Sequence, residues 1–257
     1  MLRMLKKAAR FMIAMVAAAL IGFLVIVSVN KELASTQSED AISPSLSYKE
    51  KKAVTASRLS AVRIVSMSLD GSGLSSMSGT YLTTLGRHYV LTVAHGIAGP
   101  CELTKVLVDS TYYDCISYVT VDLTFDYAIM EVEKIPVRTP ISIVLETPAI
   151  NNTHPSQTSI LSKVYYTGYP NTMGPFTARG HVMGYDALGS QHIYILSYAW
   201  MGASGSGVFS ENGKLVGYII AIDVGQTEYG VQVLENVVMV GSSANIDWAP
   251  LFKQFYE

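Results

Sequence analysis

From residue 59 onward the chain breaks into short runs rich in β-branched and aromatic residues, and this texture constrains its fold more than any other feature. The runs are AVRIVSMSL (61 to 69), GTYLTTL (79 to 85), HYVLTVA (88 to 94), KVLVDSTYY (105 to 113), YAIMEVE (127 to 133), KVYYTGY (163 to 169), IYILSYA (193 to 199), KLVGYIIAI (214 to 222) and VQVLENVVMV (231 to 240). Breaks at Asp70-Gly71, Leu85-Gly86, Asn212-Gly213 and Val224-Gly225 punctuate them. Such spacing is that of an all-β sandwich or barrel, and the lack of alternating helical patterns speaks against a parallel α/β sheet. Residues 135 to 158, with Pro136, Pro140, Pro148 and Pro155, read as a connector between two β halves, about 59 to 134 and about 159 to 242. Beyond them Trp248, Leu251, Phe252 and Phe255 fall at i, i+3, i+4 and i+7. That spacing predicts a short C-terminal helix over about 245 to 257 with an apolar stripe docked on the domain.

The amino end has a different texture. Arg3, Lys6, Lys7 and Arg10 stand without an acid in residues 1 to 10, and residues 11 to 30 carry no charge. An uninterrupted run of this length is close to the ~20 residues a helix needs to cross the hydrocarbon core, and longer than a usual signal-peptide core. It reads as a transmembrane signal anchor over 11 to 30, embedded in the lipid bilayer. The basic segment 1 to 10 stays cytoplasmic, and the remainder is exported. A cleaved signal that releases a secreted protein is the alternative. Residues 31 to 58, rich in Ser, Ala, Lys and Glu and without apolar periodicity, read as a flexible stalk. The folded domain then spans 59 to 257.

Composition removes several function classes. A net charge of −2 leaves no basic footprint for a phosphate backbone, so nucleic acid is not an expected partner. Two cysteines cannot make a cysteine-based zinc site, and the five histidines show no H-x-x-x-H spacing, so neither a metal nor a cofactor is expected.

The histidine positions also order the chemistry. None lies beyond residue 192, whereas an α/β-hydrolase takes its histidine after its nucleophilic serine. Ser204, within MGASGSGVF (201 to 209), is the one serine in a glycine setting that suits a nucleophile. Gly202 and Gly205 allow the tight turn on which neighbouring N–H groups converge toward an oxyanion. A base must then come from upstream. His95 closes the apolar run in YLTTLGRHYVLTVAHG (81 to 96), and Asp126 opens the run in FDYAIM (125 to 130). Each has a bland use: a flexible Gly/Ser loop, a satisfied histidine, a turn-capping aspartate. Asp122 is a rival acid. What the bland uses leave unexplained is the occurrence of all three, in the order His, Asp, Ser, on one all-β pattern.

On those motifs, joined by T-G-Y-P at 167 to 170 and G-K-L-V-G at 213 to 217, residues 60 to 240 resemble the trypsin-like (chymotrypsin-fold) serine proteases. The bacterial glutamyl-endopeptidase and HtrA-type branch is nearest. The resemblance implies two Greek-key antiparallel β-barrels and a serine endopeptidase that cleaves proteins or peptides through an acyl-enzyme. In it Ser204 is the nucleophile, His95 the base and then the acid, and Asp126 the group that fixes the imidazole. The N–H groups of Gly202 and Ser204 form the oxyanion hole. It also places a specificity pocket near Tyr198, walled by Ile220, Ile222 and Asp223. This pocket suits an apolar or small side chain, with a basic one as the alternative.

Two departures from the trypsin pattern stand out. Ala203 occupies the place of the aspartate that pairs with a newly cut amino terminus, so no such activation step is expected. No cysteine follows His95; Cys101 and Cys115 instead bracket a short segment and either bridge it or stay as buried thiols. The competing function is a protease-like binding module without catalysis.

Overall fold

The computed structural model describes residues 42–144, 158–186, 192–227 and 230–255, with side chains left undescribed at 221–235 and 254–255. The expected anchor, its basic flank and residues 31–41 of the expected stalk lie outside this set, as do positions 145–157 of the connector. Among the described residues no helix is long and apolar enough to cross a membrane.

Strand β1 (Ala61–Met67) turns Val62, Ile64 and Ser66 inward in alternation, as a half-buried strand does. It opens a barrel completed by β2 (Leu74–Thr84), β3 (Arg87–Thr92), β4 (Thr104–Val108), β5 (Thr111–Asp122) and β6 (Tyr127–Val132). Their order is β1-β4-β5-β6-β3-β2, closed by the pairing of β2 with β1, and all six pairings are antiparallel. A two-residue strand β7 (Ile141–Ser142), in the described part of the connector, runs parallel to β2. The second half holds β8 (Lys163–Gly168), β9 (Phe176–Tyr185), β10 (Ile193–Leu196), β11 (Gly207–Ser210), β12 (Leu215–Thr227) and β13 (Gly230–Ser242), closed as β10-β13-β12-β11-β8-β9.

The two barrels have the same connectivity. In each, the first three strands form a meander, the sixth pairs with the third and the fourth with the first. Sequence inspection shows no repeat because this duplication resides in strand order rather than in residue identity.

Several elements differ from expectation. The run at 105 to 113 is two strands, since Asp109 and Ser110 adopt left-handed conformations (φ 47° and 70°) that turn β4 into β5. Strands β9 and β11 lie outside the apolar runs of the sequence. The first is largely exposed or half-exposed with a glycine in its middle, and the second has only four residues.

The C-terminal segment forms 3-10 turns at Ser243–Asn245 and Ala249–Phe255, not an α-helix. Pro250 brings no N–H to an i−4 ladder, and the turn closes through Leu251 N–H donating to Trp248 O at 3.1 Å. The docking expectation nevertheless describes Trp248, Leu251 and Phe252 well: all three are buried in the core of the first barrel. The side chain of Phe255 lies outside the described set.

The stalk expectation is corrected at its C-terminal end. Residues 48–58 belong to helix α1 (Tyr48–Ser60), which starts with a complete capping box between Ser47 and Glu50. Helix α1 packs on the second barrel through polar anchors. Lys163 Nζ and Tyr165 OH both donate to Glu50 Oε1 at 2.8 Å, and Ser57 Oγ donates to Thr167 Oγ1 at 2.7 Å. The Lys163 bond first, then the Ser47 capping bonds and the Tyr165 hydroxyl, hold the Glu50 carboxyl far below its ordinary value of 4.5. A depressed carboxylate stabilises the fold above its unfolded-state pKa and loses that contribution as pH falls toward the folded one. Glu50→Gln should therefore lower the unfolding midpoint at pH 7. As pH drops below 4.5 the gap to the wild type should narrow, which thermal unfolding between pH 7 and pH 3 reads directly.

Cys101 and Cys115 are joined by a disulfide with Cα atoms 5.3 Å apart, which ties the turn before β4 to β5. A loop of this size contributes about 3 kcal/mol on the chain-entropy account.

Candidate active site

Strands β3 and β6 are antiparallel neighbours with Thr92 opposite Ala128, so the residues just after β3 and just before β6 emerge side by side. His95 and Asp126 occupy those places. The Asp126 backbone is left-handed (φ 56°), a conformation Asp tolerates better than most residues, and it turns both carboxylate oxygens toward His95. His95 N–H donates to Oδ1 at 2.8 Å, and His95 Nδ1 lies 2.6 Å from Oδ2. Beside a carboxylate the ring proton sits on Nδ1, which leaves Nε2 as the free base. The hydrogen bond to Asp126 raises the His95 pKa above its ordinary value of 6.5 against the opposing effect of burial. Asp122, the rival acid, does something else: its Oδ1 accepts the N–H groups of Thr124 at 2.7 Å and Phe125 at 3.0 Å, capping the turn.

Ser204 lies in the loop before β11, on the second barrel. Together with His95 it lines a cavity of about 200 Å³ whose other walls are Ala199, Trp200, Met201, Ile219 and Ile220. The loop is fixed from several sides. Ala203 N–H donates to Trp200 O at 2.9 Å and Gly205 N–H to Ile219 O at 2.7 Å. Asn171 N–H donates to Met201 O at 2.7 Å. In a trans peptide the N–H points opposite to its C=O, so holding the Met201 carbonyl at Asn171 directs the Gly202 N–H to the other side. Among the described hydrogen bonds, neither the Gly202 nor the Ser204 N–H has an acceptor.

Two residues that sequence reasoning passed over hold this arrangement across the barrel interface. Ser78 on β2 donates through its N–H to Ser204 O at 2.9 Å and through its hydroxyl to Gly202 O at 2.7 Å. Its hydroxyl also accepts Tyr169 N–H at 2.8 Å. Tyr218 on β12 reaches the first barrel, donating to Phe125 O at 2.6 Å beside Asp126. Burial, followed by the Asp126 charge, raises its phenol pKa well above the ordinary range.

The expected pocket residues separate. Ile220 lines the cavity with Ser204. Tyr198 does not floor that cavity; it is 59% exposed, stacks on Trp200 with ring centroids 6.4 Å apart, and lines a larger neighbouring cavity. The side chains of Ile222 and Asp223 lie outside the described set. Among the described residues no cluster of His, Cys, Asp and Glu could hold a metal.

Two antiparallel six-stranded barrels, with a His–Asp pair at the rim of one facing a serine on a glycine loop of the other, form the architecture of chymotrypsin-like serine endopeptidases. The chain belongs to the trypsin-like peptidase family: the sequence profile of the trypsin-like peptidase domain matches residues 71–217, more than half of it. Its fold is similar to that of a serine endoprotease from Yersinia pestis (TM-score 0.57, 18% identity), with 77% of this chain and 64% of that one covered. The active form of a protease from M. tuberculosis gives a TM-score of 0.55 at 18% identity, over 79% of this chain and 82% of the other. The HtrA-type protease AlgW, solved with a tripeptide, gives 0.55 at 17% identity, over 74% and 58%. The chain thus spans less than two thirds of the Yersinia protein and of AlgW. No curated protein matches it in sequence.

Proposed function

We propose that the chain is a serine endopeptidase, anchored in the membrane by residues 11 to 30 with its barrels on the extracytoplasmic side, that cleaves peptide bonds through a His95–Asp126–Ser204 triad. The observation that carries this reading is the shared cavity: a histidine held by a carboxylate and a serine line one space, beside a loop whose Gly202 and Ser204 N–H groups have no acceptor among the described hydrogen bonds. Ser204 Oγ attacks the scissile carbonyl while its proton passes to His95 Nε2. The carbonyl oxygen takes up negative charge opposite the Gly202 and Ser204 N–H groups, each worth about 3 kcal/mol in such a role. His95 then protonates the leaving amine, and water attacks the acyl-enzyme by the same route in reverse. The inactive binding module is the weaker reading, since no triad position is vacant. The apolar walls and modest size of the cavity support an apolar side chain before the cleaved bond.

A fluorophosphonate probe tests the reading. The expected result is covalent labelling of the wild-type chain and none of Ser204→Ala. Absence of wild-type labelling, or labelling that survives the substitution, would count against an active serine enzyme. A peptide-library profile dominated by Arg or Glu before the cleaved bond would overturn the apolar preference, and the amino terminus of the protein in native membranes decides between anchor and cleaved signal.

A further inference from the structure

Trp200 and Ala203, just before Ser204, also line a second cavity of about 590 Å³, within the 300–1,000 Å³ of ordinary small-molecule sites. It is bounded by the end of α1, by β8 and β9, and by the loop that carries Ser204. Two cations line it, Arg58 from α1 and Arg179 from β9, and no described lining residue carries a carboxylate. Arg58 is oriented by donating from Nη1 to Thr177 Oγ1 at 2.8 Å. Phe176, Tyr198 and Trp200, three large aromatic side chains that are about half exposed, line the same cavity. Leaving such surface in water is unfavourable, so a body that covers it is stabilised there, while a guanidinium fork matches a carboxylate in bidentate geometry. Burial lowers the Arg58 pKa from its ordinary value, which a neighbouring anion would counteract.

Trp200 connects this cavity to the catalytic one, because it lines both. Its carbonyl accepts the N–H of Ala203, the residue before Ser204 and itself part of the larger cavity wall. We propose that the larger cavity is a regulatory site for an apolar molecule bearing a carboxylate, and that its occupancy is transmitted through Trp200 to the Ser204 loop. Free apolar peptide C-termini and small aromatic acids share that chemistry. Binding stands on the cavity alone; transmission to catalysis rests on the reading of Ser204 as the nucleophile.

The chain has two tryptophans, Trp200 and Trp248, so Trp248→Phe leaves Trp200 as the sole fluorescent reporter. The full-length Ser204→Ala, Trp248→Phe chain would be titrated with 3-phenylpropionate and with an apolar tripeptide free acid. The neutral counterparts are 3-phenylpropanol and the tripeptide amide. Calorimetric titration of the Ser204→Ala single variant covers the case in which loss of the buried Trp248 impairs folding. The expected result is saturable binding of an acid with a change in Trp200 emission, at least about tenfold weaker binding of its neutral counterpart, and a similar loss in Arg179→Gln. The tripeptide and the aromatic acid identify which source of carboxylate the site prefers. Equal binding of acids and neutral counterparts, or no saturable binding, overturns the site. Binding that leaves Trp200 emission and wild-type peptide hydrolysis unchanged overturns the transmission. If the acids bind but the wild type resists fluorophosphonate, the site stands and the protease reading fails.

Discussion

Asp126→Asn is expected to lower kcat about 10⁴-fold at neutral pH with a much smaller change in KM. The local geometry gives the reason. Asp126 Oδ1 accepts the backbone N–H of His95 at 2.8 Å, so an asparagine must place its carbonyl oxygen there and turn its NH₂ toward His95 Nδ1. That donor forces Nδ1 to accept, the ring proton moves to Nε2, and the atom that should receive the Ser204 proton is already protonated. The pH profile supplies a second readout. The proposed mechanism needs neutral imidazole, and Asp126 raises the His95 pKa above 6.5, so wild-type kcat/KM should climb through a limb lying above that value. With the charge removed, the residual activity of the variant should have its limb displaced to lower pH. A limb that stays in place would mean that Asp126 does not set the protonation of His95.

Legibility in the sequence followed physical reach. Residues 95, 126 and 204 could be picked out because each sits in a compact motif where a strand meets a turn, and the structure brings His95 to Asp126 by hydrogen bond and to Ser204 by a common cavity. Strands buried on their inner face were visible as apolar runs. Strand β9 was not, since its position depends on pairing with β8 and β10 more than on its own residues. Helix α1 has no apolar stripe, so its sequence reads as stalk. The one local signal that could have revealed it is Ser47-x-x-Glu50, a capping box at its start. Ser78 and Tyr218 were illegible for a different reason. Their partners stand 124 and 93 residues away in the chain, and nothing local distinguishes a serine or tyrosine that holds another barrel's loop. The assignment of Tyr198 to the pocket floor came from family analogy, which does not fix where a side chain points when the surrounding loops differ.

Gly205→Ala should damage both stability and turnover, because the Ser204 loop and the first barrel meet at this residue without room for a methyl group. Gly205 is left-handed (φ 88°), a conformation that costs a non-glycine residue about 1–2 kcal/mol. An added Cβ would also overlap the Ser78 carbonyl oxygen and lie 2.5 Å from Thr92 Oγ1. Neither neighbour can yield cheaply. The Ser78 carbonyl accepts the Thr92 hydroxyl at 2.7 Å, and the Ser78 N–H holds Ser204 O at 2.9 Å. Overpacking of this kind costs a further 1–3 kcal/mol or so, giving an expected destabilisation of about 2–5 kcal/mol in denaturant unfolding. The methyl group pushes β2 away from the loop, and a displacement of the nucleophile by about 1 Å lowers kcat roughly 10²-fold. Gly71→Ala separates the two contributions, since Gly71 is also left-handed (φ 71°) but has open space where its Cβ would stand. That variant should show only the conformational cost of about 1–2 kcal/mol, with turnover unchanged. If both variants unfold and turn over alike, the contact between β2 and the Ser204 loop does not hold the nucleophile in place.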